Sequence, residues 1–164
     1  MAHKAMDVYL NDHLAGAMLG TDLAEQIQDR ADGTPLGDAM GTISAEIEQD
    51  RQSLIDLMEA LGTSKNPVKQ ATTWVAEKAS RPKFSGFTSG SAEQGMFMAL
   101  ESLTLGVAGK LSLWVALKEV ESDYPPLTHA ALDELILRAQ SQHERLERER
   151  LVAGRRALGS AGTD

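Results

Sequence analysis

The chain has 164 residues, enough for one domain with a sizeable core, and its 42% hydrophobic and 24% charged content is that of a soluble globular protein. A net charge of −8 with no run of Lys or Arg argues against a nucleic-acid partner, since phosphate binding needs a basic face. The absence of cysteine excludes disulfides, thiolate chemistry and Cys-type zinc sites.

The opening MAHKAMDVYLNDH lacks the charged-then-apolar layout of a signal peptide, so a cytoplasmic protein is expected. A first helix is predicted over residues 6–30, with Met6, Leu10, His13, Ala17, Gly20, Ala24 and Ile27 along one face and Leu14 and Met18 widening it. Asp32-Gly33 reads as a turn. Thr34-Pro35 then supplies the N-cap and first-turn proline of a second helix, 35–61, which stops at Gly62. Its inward face carries Leu36, Met40, Ile43, Ile47, Leu54, Leu57 and Leu61, and Asp50 falls among them, with Glu46 one turn before. Glu48 is expected on the solvent side.

A third, shorter helix is predicted over 67–80, with Trp74 and Val75, followed by a Gly/Ser-rich loop at 80–90. In that loop Arg81 and Lys83 are candidate anion ligands, although Phe84 and Phe87 read better as pins holding the segment to the bundle. The fourth helix, 92–120, opens on a Ser91/Gln94 capping box and is the most apolar stretch of the chain. Met96, Leu100, Leu103, Val107, Trp114 and Leu117 form its stripe, interrupted by Lys110; Glu101 stands on the adjoining row with Phe97, Thr104 and Leu111. The helix is long enough to span a bilayer, but Glu101, Lys110 and Lys118 argue against it. A fifth helix is predicted from a Thr128 cap over 128–158, turning Leu132, Leu135, Ala139, Gln142 and Leu146 inward. Its tail QHERLERERL reads as a solvated face with i,i+4 pairs Glu144–Arg148 and Arg145–Glu149.

No strand pattern is present, so the class is all-α. Two hairpins with short connections, separated by roughly thirty residues, make a four-helix bundle of two antiparallel hairpins with a long crossover containing an additional short helix. A five-helix up-and-down bundle is the competing layout. In this arrangement, and in YLNDHLAG and ALESLTLGVAGK, the chain resembles the ferritin-like superfamily, in particular small bacterial (actinobacterial) members whose activity is not established. The resemblance implies a carboxylate-bridged di-iron centre, built from a Glu on each of two helices and a Glu-x-x-His on each of the other two.

The sequence departs from that pattern. Glu46 is followed three residues on by Gln49, and the inward tetrad of the last helix is Ala139-Gln140-Ser141-Gln142. His143 is rotated off the stripe by about 100°. Glu46, Glu101 and His143 are therefore the candidate ligands for iron or manganese, as an incomplete set. Counting from the turns puts Glu46, Glu101 and Gln142 at one level, and His13, Asp50 and Lys110 at another, with Asp12 and His13 roughly 12 Å from the first group. The expected interior thus holds two polar layers, in which Lys110 paired with Asp50 stands in for a metal cation. Asp12 beside His13 reads as a satisfied core histidine rather than a proton shuttle. Met18, Met40, Met58, Met96 and Met98 read as core filler. Gly16, Gly20, Gly106 and Gly109 point to close helix approach, inside the chain or across a dimer seam.

The expected function is a binding or structural role without enzymatic activity, as a homo-oligomer, with a dimer favoured. The alternatives are a carboxylate-bound metal-dependent oxidoreductase or iron-binding protein, and a carrier of an apolar ligand in the Met-lined interior.

Overall fold

In the computed structural model, residues 2–63 and 91–159 are described. They form four long helices, α1 (Ala2–Arg30), α2 (Pro35–Ala60), α3 (Ala92–Glu119) and α4 (Leu132–Leu158), with no strand among the described residues. The predicted helix at 67–80 and loop at 80–90, with Trp74, Val75, Arg81, Lys83, Phe84 and Phe87, lie outside the described residues.

The helix ends follow the local chemistry. Thr34 adopts an extended backbone and its hydroxyl accepts from the Gly37 N–H, with Pro35 in the first turn of α2. At the other end Gly62 takes φ 68°, and the N–H groups of Gly62 and Thr63 donate to Glu59 and Met58 carbonyls, a Schellman closure that needs a residue without Cβ strain. Ser91 and Gln94 form the reciprocal capping box that starts α3.

The last helix starts later than its sequence suggests. Pro125–His129 form a 3₁₀ turn, and the Thr128 hydroxyl donates to the Pro125 carbonyl instead of capping a helix. Two prolines hold the turn and Leu127, fully buried, pins it to the core. The chain then passes through Ala131 in the left-handed region, φ 49°, to begin α4 at Leu132.

Two apolar clusters fix the helix directions. One joins the beginning of α1 (Leu10, Leu14), the end of α2 (Leu54, Leu57, Met58), the end of α3 (Leu113, Trp114, Leu117) and the beginning of α4 (Leu132, Leu135, Ala139). The other joins Leu23, Ala24 and Ile27 of α1, Met40, Ile43 and Ile47 of α2, Leu100, Leu103 and Val107 of α3, and Leu146 and Ala153 of α4. α1–α2 and α3–α4 are therefore antiparallel pairs, and α2 runs parallel to α3. The end of α2 and the start of α3 lie at opposite ends of the bundle.

Several expected core positions move outward. Met18 and Met98 are about half exposed, so they fill no core. Among the described residues Gly16, Gly20, Gly106 and Gly109 serve no close packing, because a Cβ on any of them would meet nothing within 4 Å there. Close approach is permitted instead at Gly37, where a Cβ would run into the Ala31 carbonyl at the end of α1, and at Gly154, where it would fall 2.9 Å from the Phe97 ring.

Candidate functional site

Between the two apolar clusters the core turns polar. Asp50, at the middle of α2, is fully buried at its side chain. It lies there because it follows Ile43 and Ile47 on the inward face, one turn before Leu54. Both carboxylate oxygens are engaged. Oδ2 accepts from the Lys110 ammonium of α3 at 2.5 Å and from the Gln142 amide of α4 at 3.0 Å. Oδ1 accepts from Arg138 Nε at 2.6 Å. Lys110 also donates to the Gln142 carbonyl oxygen, which closes a three-membered ring of hydrogen bonds among three helices. The Arg138 Nη1 goes on to Gln49 at 3.1 Å.

The electrostatics follow from burial. The Lys110 side chain is 15% exposed. Its pKa lies below the usual 10.5 because burial disfavours the ammonium, while Asp50 pulls in the opposite direction. The site holds one buried carboxylate facing two cations and an amide. Glu46, one turn before Asp50, takes Arg145 of α4 and supplies a further negative charge near Lys110. The α2–α4 seam is thus a ladder in which Glu46 meets Arg145, and Gln49 and Asp50 meet Arg138 and Gln142. The two backbones approach less closely there than within the hairpins, and long side chains fill the gap.

The expected grouping into layers is corrected in three respects. Gln142 stands with Asp50 and Lys110, not with Glu46 and Glu101. His13 packs its ring edgewise on Tyr9, with centroids 4.6 Å apart, and Asp12 beside it is exposed; neither bonds to the Asp50 ring. Burial lowers the His13 pKa below 6.5, partly offset by Asp12. Glu101 is less buried than its apolar row suggests, with its side chain 42% exposed, and it accepts from Arg150 of α4 at 3.1 Å. Arg150 in turn pairs with Glu147 at 2.6 Å and lies over the Phe97 ring. His143 is half-buried near Glu147, whose carboxyl is held below its usual range chiefly by Arg150 and slightly by His143. Glu48, expected on the solvent side, is 45% exposed at its side chain and bound to Arg51.

The donors of a di-iron centre do not fit this arrangement. Glu46 and Glu101 are each turned to a different arginine, and among the described residues no three His, Asp or Glu side chains are grouped to hold a metal ion. No family model matches the chain, and neither curated proteins nor solved structures give a match. The arginines were the part that sequence reasoning missed. Arg145 and Arg150 lie in the charged tail read as solvated, yet each reaches across to another helix from the edge of the inward stripe.

Proposed function

We propose that the protein is a cytoplasmic ferritin-like bundle whose central polar level is closed by its own side chains, and that it serves as a non-enzymatic binding or structural protein, as a homodimer. The ferritin-like reading rests on the two antiparallel pairs with α2 parallel to α3 and opposite helix ends joined between them. The observation that carries the functional reading is Asp50, whose two oxygens take Lys110, Arg138 and Gln142 in the position where a metallo-bundle would present open carboxylates. A cation there would have to displace an ammonium and a guanidinium. Two oxygen donors without a matched histidine make a poor iron site in any case. A carrier role is less favoured, because among the described residues the cleft between Leu23, Ile27, Met96 and Ala99 has a volume of only about 10 Å³, the room of roughly one water.

The test is metal content of protein purified without chelator, measured before and after anaerobic loading with ferrous ion, alongside a Glu101→Ala variant. The expected outcome is no stoichiometric iron or manganese in either protein. Near-stoichiometric iron in the native chain that Glu101→Ala loses would overturn the reading in favour of a metal-dependent oxidoreductase or iron-binding protein.

A further inference from the structure

We draw no further inference here: the strongest candidate, the apolar surface patch on the outer face of α3 around Met98 and Leu105, carries nothing, because nothing in the structure shows what covers it.

Discussion

The amide of Gln142 donates to Asp50 at 3.0 Å while its carbonyl oxygen accepts from Lys110. Only one orientation of the amide satisfies both neighbours, since the reverse would set its oxygen against the carboxylate and its N–H₂ against the ammonium. Gln142 is fully buried, so that choice is enforced by the cost of an unpaired polar group in the core. The ring joins α2, α3 and α4 at the level between the two apolar clusters, where otherwise unspecific packing would allow the hairpins to slide.

Asp50 and Lys110 are therefore expected to be unequal partners in a double-mutant cycle. Removing the ammonium with Lys110→Met leaves Asp50 bonded to Arg138 and Gln142, and should cost about 1.5–3 kcal/mol, the range for a hydrogen bond to a charged group. Asp50→Leu strands Lys110 in a largely buried place with only an amide oxygen, and should cost about 3–5 kcal/mol. The double variant should be more stable than Asp50→Leu alone. Urea denaturation of the four proteins measures the cycle; strictly additive effects would show that the contact contributes no coupling.

The outer ion pairs should matter much less. Glu46–Arg145 leaves about a quarter of each side chain exposed, and Glu101–Arg150 is still more open on the carboxylate side. Arg145→Ala and Glu101→Gln are each expected to lower stability by only about 0.2–1 kcal/mol, and the difference should shrink in high salt. A loss several times larger, persisting in salt, would mean that these pairs carry the α2–α4 and α3–α4 contacts rather than decorate them.

Much of the architecture is legible in the sequence because it is written in local signals. Thr34-Pro35, Gly62 and Ser91/Gln94 mark helix ends through hydrogen bonds made within a few residues. The inward faces of α2 and α4 follow from helical periodicity, including the burial of Asp50 and Gln142. What periodicity cannot supply is reach. An arginine at the edge of a stripe has a side chain long enough to cross a seam, so Arg145 and Arg150 read as surface charge, and Arg138 carries no signal at all, until the neighbouring helix is in place. The same limit misplaced Gln142 by level: counting residues from a turn assumed a helix from residue 128, and the 3₁₀ turn shifted its start to Leu132. Met18 and Met98 were misread because helical spacing alone does not tell a face that meets a neighbour from one that meets solvent.

His13 gives the pH dependence. Its folded pKa is lowered below 6.5 by burial, so on acidification the unfolded chain takes up a proton before the folded one does. The unfolded state then binds more protons across the window between the lowered value and 6.5, and stability falls as pH drops through it. Comparing urea midpoints at about pH 7.5 and about pH 5 should show a smaller acid loss for His13→Gln than for the native chain. Equal losses in the two proteins would place the acid sensitivity elsewhere.

Ala131 offers a prediction of the opposite sign. It holds φ 49° and ψ 43° immediately before α4, a conformation that crowds its Cβ against the backbone and costs a non-glycine residue about 1–2 kcal/mol. The surroundings enforce it: Leu127 and Leu132 are both buried on either side, and the Ala131 carbonyl accepts from Glu134 and Leu135 at 3.0 and 3.2 Å. Ala131→Gly removes the Cβ strain but gives the unfolded chain more freedom, which offsets about 0.4–1 kcal/mol. The net result should be a protein stabilised by up to about 1.5 kcal/mol, visible as a raised Tm with unchanged helicity. A lowered Tm would show that the methyl group packs well enough to outweigh its strain, and that the turn is held by Leu127 and the prolines alone.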